Sequence, residues 1–412
     1  MGYSRETIRG ISWVGGLRLA TRFIAFARTI VIARILSPAD FGSFSIIALL
    51  LSSTDIFTDT GLDIFLLQEK GSIKKYISSA WILSIARGLV LTILVLCFTP
   101  FVIRFFRLPS LLSMLLLASL VPLIKGFTNP AIVVFQKQLE FNKDFYYQTS
   151  VFAVDSISAL SLTYILRSPI GLVGGLVIGA LFELFLSFFV VKMTPRFQIN
   201  RKLLARFFYR GKWLTLAGIF HYLYQNADDI IVGRILGAGQ LGLYTMAYKF
   251  SLLPLSEISD VVQRVTFPVY VKIANDPERL KSAFLKTTSA ITFLTLPIGL
   301  FLFLYPKEIL GTVLGNSWIN AAPALQVLAI FGIVHSVSGS ASSLFLSLHK
   351  QKMLTLLTLV KLSIMLLLIF PFIFWFGLVG AGLAALIASL VGLPVAFFLI
   401  LSLPLKKDEL GI

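Results

Sequence analysis

Apolar runs of about twenty residues recur along the whole chain, separated by short polar breaks or breaks marked by Pro and Gly. A run of this length crosses the hydrocarbon core of a bilayer as a helix, which satisfies every backbone polar group internally. The composition agrees, because 57% of the residues are hydrophobic and only 13% are charged. The sequence therefore predicts an all-α polytopic membrane protein without a soluble domain.

The chain repeats itself with an offset of 200 positions. It reads ARTIVIARILSPADFGSFSIIALL from Ala27 and ADDIIVGRILGAGQLGLYTMAYKF from Ala227, and the two stretches align without a gap. On a count of about twelve spans, roughly six precede the second copy, so both halves enter the membrane in the same direction. We predict two six-helix bundles related by a pseudo-twofold axis along the membrane normal. The spans begin near residues 11, 41, 77, 111, 145, 171, 205, 241, 282, 323, 353 and 379. The predicted domains are the N-terminal bundle (1–191), a basic cytoplasmic linker (192–212) and the C-terminal bundle (213–412).

The charge balance indicates topology. The chain has 36 Lys and Arg against 19 Asp and Glu, a formal net charge of +17. Most of the basic loops fall on one side of the predicted spans, and such loops stay in the cytoplasm. The sequence therefore predicts a multi-pass protein of the cell membrane with both termini in the cytoplasm. No basic face is interleaved with stacking aromatic residues, which argues against nucleic acid as a partner.

Motifs for catalysis and cofactor binding are absent from the sequence. It contains no G-x-x-x-x-G-K-[ST] phosphate loop, no H-E-x-x-H and no G-x-S-x-G segment. The single cysteine, Cys97, excludes an internal disulfide and a cysteine metal cluster. We therefore expect no enzymatic activity, no metal and no cofactor.

The first two predicted spans carry opposite charges. Arg18, Arg22 and Arg28 fall within an arc of roughly 120° on the first span, at about 100° per residue. Asp55 and Asp59 are four residues apart and share a face of the second span. If the chain turns in the middle of its SPAD segment, Arg22 lies level with Asp55 and Arg18 with Asp59. These pairs either hold the helices together or take part in function, and the sequence leaves both alternatives open.

The second copy of the repeat carries the reverse polarity. Asp228 and Asp229 lie on the seventh span, and a turn at the equivalent position places Asp228 level with Lys249. Arg28 and Asp229 have no level partner of opposite charge in their own hairpins. A charge inside the membrane is costly, so Arg28 and Arg264 are interpreted as functional. Asp55, Asp59, Asp228 and Asp229 are candidates for charge pairing or for coupling to an ion.

Five segments in order carry a family resemblance: ARILSPADFGSFSI, FQKQLEFNKDF, DDIIVGRILGAGQLGLYTMAYKF, FPVYVKIANDPERLKSAF and LGNSWINAAPALQVLAIFG. Across essentially its full length the chain resembles the Wzx-like polysaccharide and oligosaccharide flippases of the multidrug/oligosaccharidyl-lipid/polysaccharide (MOP) exporter superfamily. The resemblance implies a MATE/MOP-like fold with a V-shaped cavity between two bundles. It also implies alternating access, by which a polyprenyl-diphosphate-linked oligosaccharide moves from the cytoplasmic to the outer leaflet for O-antigen, capsule or exopolysaccharide synthesis.

The implied partners are this lipid-linked oligosaccharide, the membrane lipids, and H⁺ or Na⁺ as a coupling ion. Arginine matches phosphate oxygens bidentately, so basic residues are the candidates for the diphosphate and glycan cavity. A drug/cation antiporter of the same superfamily is the nearest alternative function. A membrane-embedded polysaccharide polymerase or ligase is a further one, and it would be expected to carry a long periplasmic loop. The candidate cavity residues are Arg18, Arg22, Arg28, Lys249 and Arg264.

Overall fold

The computed structural model describes residues 2–57, 66, 74–191, 193–195, 197 and 201–401, and helices make up almost all of them. Asp59 lies outside the described residues, and so do the side chains of Arg18 and Asp55. The chain divides into two compact units, which we call the N-terminal unit (Met1–Asn226) and the C-terminal unit (Ala227–Ile412).

The described residues of the N-terminal unit form eight numbered helices and the first part of a ninth. One 3-10 turn, Pro130–Val133, follows a bend of 62° in the chain. The helices are α1 (Gly2–Ala33), α2 (Pro38–Phe57), α3 (Lys74–Phe106), α4 (Leu111–Ala118), α5 (Leu120–Gly126), α6 (Val134–Lys137), α7 (Phe141–Leu166), α8 (Ile170–Val190) and α9 (Arg201–Leu236), which continues into the C-terminal unit.

Helices α7 and α8 pack closely against each other, and glycines of α8 make the approach possible. Gly171, Gly175 and Gly179 recur every four residues and so lie on one face. A Cβ atom added at Gly175 would lie 2.5 Å from Cβ of Ala159, and one at Gly179 would lie 2.8 Å from Cβ of Asp155. Helix α1 packs along α7 as well. The glycine face thus fixes the position of α7, which contributes Asp155 to the site.

The described part of the C-terminal unit contains the end of α9 and five further helices. A second 3-10 turn, Asn316–Ala321, precedes α13. The helices are α10 (Ala238–Lys272), α11 (Pro277–Leu304), α12 (Pro306–Val313), α13 (Ala322–Ser347) and α14 (Gln351–Leu401).

Helix α14 is a hairpin of two arms. Gly377 has a non-helical backbone (φ 57°, ψ −131°), and α14 continues as helix on either side of it. A Cβ added at Gly380 would overlap the carbonyl oxygen of Phe372, so the two arms fold back tightly on each other. The predicted break between the last two spans, near residue 379, lies at this reversal.

The membrane-spanning character of the chain is visible in its helices. Six helices of the described chain are long and apolar enough to cross a membrane, or seven if the bent segment from Leu111 to Lys137 counts as one span. The α14 hairpin is one of the six. Apart from Asp59, the charged residues that the sequence singles out as site candidates lie on α1, α2, α9 and α10. The protein is therefore a nearly all-helical polytopic membrane protein, whereas the count of twelve spans stays a prediction.

Candidate functional site

An ion pair joins α1 to α7 in the N-terminal unit. Nη1 of Arg28 donates a hydrogen bond to Oδ2 of Asp155 over 2.6 Å. The Arg28 and Asp155 side chains are 21% and 13% exposed, so the pair is largely withdrawn from solvent. The sequence predicted that Arg28 has no level partner within its own hairpin, and the structure places that partner on α7.

The arginine of this ion pair lies beside an aromatic ring, and one oxygen of its aspartate makes no hydrogen bond within the described chain. The Arg28 guanidinium lies 5.5 Å from the centre of the Phe152 ring, one turn before Asp155. Oδ1 of Asp155 is buried, and it has no hydrogen-bond partner among the described residues. The carboxylate therefore depends on Arg28 for compensation of its charge, while Arg28 retains further N–H donors for other acceptors.

The other predicted charges of the N-terminal unit are only partly described. Arg22 lies on α1, is half-buried and has a polar or electrostatic partner. Arg18 and Asp55 lie within α1 and α2, respectively. The predicted pairs of Arg22 with Asp55 and of Arg18 with Asp59 stay predictions.

Two adjacent aspartates lie near the end of α9 in the C-terminal unit. Oδ2 of Asp228 accepts a hydrogen bond of 2.8 Å from the Tyr244 hydroxyl on α10, and both residues are buried. The attraction of the Lys249 ammonium acts on Asp229. Lys249 is exposed at the surface of the described chain, and Asp229 is half-buried.

The predicted level pair of Asp228 with Lys249 therefore needs correction. The prediction placed the turn between Ala238 and Gly239, but α9 ends at Leu236 and α10 begins at Ala238. The turn is centred on Gly237, which shifts the residues of α10 at equal depth toward its start. Tyr244 thus comes within reach of Asp228.

The fifth candidate cation, Arg264, lies on α10 and is exposed. Within the described residues, no group of three or more His, Cys, Asp or Glu side chains is arranged to hold a metal ion.

Sequence reasoning missed two residues that the structure makes prominent. In the sequence Asp155 is one of several isolated polar residues. Its pairing with Arg28 could not be found there, because no local spacing connects two residues that are 127 positions apart. Lys361 was not identified at all, although a lysine within a long apolar run is itself a signal. It is buried in the C-terminal unit.

The fold is that of the MOP transporters. The inward closed conformation of the lipid II flippase MurJ aligns over 96% of this chain and 89% of its own, with a TM-score of 0.77 and 17% identity. The inward-facing conformation of a multidrug resistance MATE family transporter of the MOP superfamily aligns over 94% of this chain and 96% of its own, with a TM-score of 0.69 and 17% identity.

The sequence comparisons then define the family. The model of the family described as polysaccharide biosynthesis protein matches residues 31–323, and the chain belongs to this family. Among curated proteins, the lipopolysaccharide biosynthesis protein WzxC of Escherichia coli (strain K12) is 26% identical over 349 residues, which cover 84% of this chain and 71% of WzxC.

Proposed function

We propose that the protein is a flippase for polyprenyl-diphosphate-linked oligosaccharides in the synthesis of a surface polysaccharide such as O-antigen, capsule or exopolysaccharide. Membership of the polysaccharide biosynthesis family supports this function, as do the names of WzxC and of the lipid II flippase. The observation that carries the proposal is the half-buried Arg28, held by one carboxylate on α7. The function is transport rather than catalysis.

The ion pair suggests how the chain binds and releases a diphosphate. A diphosphate carries more negative charge than the single carboxylate of Asp155, and its oxygens match the guanidinium fork. In the empty protein Asp155 holds Arg28; in the loaded protein the diphosphate takes over some of the Arg28 donors. We assign Arg22 as a second ligand of the diphosphate, and Arg18, Lys249 and Arg264 as the further candidate cations for the substrate.

The transport cycle follows from the predicted architecture. Twelve spans in two six-helix bundles, with residues 192–212 as the basic linker, form a central cavity that opens alternately to the two sides. Both termini lie in the cytoplasm, and the protein resides in the cell membrane, or the inner membrane of a two-membrane cell. The lipid tail stays in the bilayer while the glycan crosses.

We assign the coupling of transport to an ion to the acidic residues. Asp228 is buried, and a neutral tyrosine is the hydrogen-bond donor to it, whereas Asp229 is attracted by Lys249. An aspartate that is buried beside a neutral donor is suited to taking up H⁺ or Na⁺ when it becomes accessible. Transport that is insensitive to both ion gradients, or unchanged in Asp228→Asn and Asp229→Asn, would remove this part of the proposal.

The decisive experiment follows flipping in vesicles that contain the purified protein. Vesicles carry a polyprenyl-diphosphate oligosaccharide in one leaflet, and its appearance in the other leaflet is measured for the unmodified chain and for Arg28→Gln. Arg104→Gln on α3 is the control, because Arg104 is an exposed arginine of the same unit. We expect transport by the unmodified chain and by the control, and its loss in Arg28→Gln.

A drug/cation antiporter is the second candidate function, and the fold likeness to the MATE transporter favours it. An antiporter would move a small organic cation and fail to move several lipid-linked oligosaccharides in the same vesicles. Such a result would leave the Arg28 pair with a structural role and would transfer substrate binding to the aspartates.

A further inference from the structure

A layer of polar residues crosses the middle of the C-terminal unit. Gly382 on the second arm of α14 contacts Val327 on α13, and Ala396 of the same arm clusters with Ala341 of α13. In both pairs the residue numbers differ by 55, so the second arm runs parallel to α13 and each of its residues is level with the α13 residue 55 positions earlier. Gly392 on the same arm contacts the side chain of Lys361 on the first arm. Lys361 is therefore level with residue 337 of α13.

The same depth is occupied by polar residues of α10. The Ser259 hydroxyl donates to the carbonyl oxygen of Ser336 over 2.9 Å, which connects α10 with α13 at this level. Lys361 follows Gln351 by ten residues, about 15 Å along the helix at 1.5 Å per residue. Since the hydrocarbon core is about 30 Å thick, this layer lies near its centre.

Lys361 is the buried cation of the layer. Its residue is 7% exposed, and among the residues that the structure describes none forms an ion pair or a hydrogen bond with its ammonium. A Cβ added at Gly392 would overlap Cε of Lys361, so the glycine provides the room for the lysine stem. A charge at the centre of a membrane protein is costly without a partner or a ligand.

Polar groups at the depth of this ammonium also lack hydrogen-bond partners within the described part of the protein. The hydroxyls of Ser336, Ser338 and Ser389 are buried, and so is Nδ1 of His335; none of these atoms has a hydrogen-bond partner among the described residues. Lys361 and His335 interact electrostatically. Unpartnered buried polar groups are rare in proteins, and several at the depth of one buried cation indicate a place for a ligand or water.

We propose that this layer is an anion-binding subsite, in which the Lys361 ammonium and the neighbouring serine hydroxyls hold an anionic oxygen group of the transported lipid-linked glycan, either a sugar carboxylate or a phosphate. The inference rests on the proposed flippase function and adds a charged contact in the C-terminal unit to it. The ligand reaches Lys361 when the surrounding helices separate during the transport cycle.

One carboxylate belongs to the same layer and sets the specificity. Asp260 on α10 also acts electrostatically on His335 and has interactions besides this one. Its charge opposes a second anion at the same place, so the subsite accepts one anionic group beside Lys361 rather than a run of phosphates. A single carboxylate on the glycan fits this charge balance.

The test measures binding to the full-length protein in lipid nanodiscs. The probes are a polyprenyl diphosphate with a neutral trisaccharide, the same lipid with a glucuronic acid in its trisaccharide, and inorganic pyrophosphate. The variants are Lys361→Met, which keeps the length of the side chain, and Lys361→Arg, which keeps the charge. Lys352→Met is the matched control, because Lys352 is an exposed lysine of the same arm.

For a carboxylate ligand we expect the affinity of Lys361→Met to fall on the order of tenfold for the acidic lipid alone, as for loss of one charge-assisted contact. For a phosphate ligand, all three probes lose affinity. Lys361→Arg and Lys352→Met retain it. Unchanged affinity of Lys361→Met for every probe would overturn the proposal.

The thermal stability of the empty protein provides an independent readout. A lysine that waits for a ligand is costly in the empty state, so Lys361→Met should unfold at the same or a higher temperature without ligand. A lower unfolding temperature would mean that Lys361 has a structural role and would also overturn the proposal. If the unmodified protein binds these lipids through Lys361 but flips none of them, the subsite stands and the flippase function fails.

Discussion

The hairpins α1–α2 and α9–α10 are two copies of one sequence pattern, yet they neutralise opposite charges by different means. At aligned positions 200 residues apart, Arg28 stands in the first hairpin and Asp228 in the second. Arg28 is bonded to a carboxylate from a third helix, whereas Asp228 is bonded to a neutral hydroxyl from its own hairpin. The scaffold of the repeat is retained while the chemistry at its centre is reversed.

A second pair of aligned positions, 44 and 244, explains part of this difference. Phe44 occupies the position that Tyr244 has in the second copy, and only the tyrosine carries a hydroxyl. A hydrogen bond from this hydroxyl compensates the buried Asp228 without a second charge. The N-terminal unit has an arginine instead, which an aromatic ring cannot neutralise, and it uses Asp155. The two copies therefore changed the charge and its partner together.

Arg28→Gln removes the charge that distinguishes the first hairpin from the second, and of the variants considered we expect it to destabilise the protein most. It leaves Asp155 largely buried without its counter-charge, and removal of one partner of such a pair costs about 3–5 kcal/mol. Because Arg28 is 21% exposed, we expect the lower end of this range. The measurement is the unfolding temperature in detergent together with flipping in vesicles.

The double variant Arg28→Gln/Asp155→Asn separates stability from function. It removes both charges, so we expect it to recover most of the unfolding temperature but none of the transport. If the double variant unfolds as easily as the single one, the ion pair is not the origin of the stability loss.

Tyr244→Phe gives the second hairpin the aromatic residue of the first. Asp228 then remains buried without the hydroxyl, which costs about 1–3 kcal/mol for an unsatisfied buried group. Tyr248→Phe, one turn further along α10, is the control at a neighbouring tyrosine. The unfolding temperature should fall in Tyr244→Phe by more than in Tyr248→Phe, and equal losses would argue against the Asp228 bond.

The sequence predicted the helices more successfully than the contacts between them. Apolar length alone placed a helix start at residue 111, where α4 begins, and a break near residue 379, where α14 reverses at Gly377. Continuous apolar runs and the breaks between them carry this information within one segment of the chain. The pair of Arg28 and Asp155 could not be predicted in this way, since the contact depends on how α1 packs against α7.

The turns also show where alignment fails as a guide to geometry. Four residues, 34–37, separate α1 from α2, whereas Gly237 alone separates α9 from α10, although the two copies align without a gap. In both hairpins the second helix begins before the predicted turn, so the residues at equal depth differ from those predicted, and the hydroxyl of Tyr244 bonds to Asp228. A hydrophobic pattern does not specify where within a polar turn each helix ends.

Gly237→Ala tests the tighter turn and has a smaller expected effect. Gly237 has φ 84° and ψ 174°, a backbone conformation in which a Cβ atom is strained. No atom lies within 4 Å of an added Cβ, so the cost is the backbone strain alone, about 1–2 kcal/mol. A variant as stable as the unmodified chain in thermal unfolding would mean that the turn relaxes at no cost.

Ser37→Ala is the corresponding change in the first hairpin and has the smallest expected effect. Ser37 caps α2: its hydroxyl donates to Oδ2 of Asp40 over 2.7 Å and accepts from the Asp40 N–H over 3.3 Å, and Pro38 takes the first helical position. Loss of the cap costs about 1 kcal/mol. The backbone N–H of Ser37 still donates to Asp40 over 3.0 Å, which limits the loss.

The pair of turn variants then distinguishes two ways of closing a helix hairpin. Ser37→Gly should recover most of the stability that Ser37→Ala loses, because glycine is itself a tolerated N-cap residue. Gly237→Ser should recover nothing relative to Gly237→Ala, because a serine at φ 84° has the same backbone strain as alanine. If Gly237→Ser is as stable as the unmodified chain, side-chain capping can replace the glycine, and the two turns differ in sequence but not in their physical requirement.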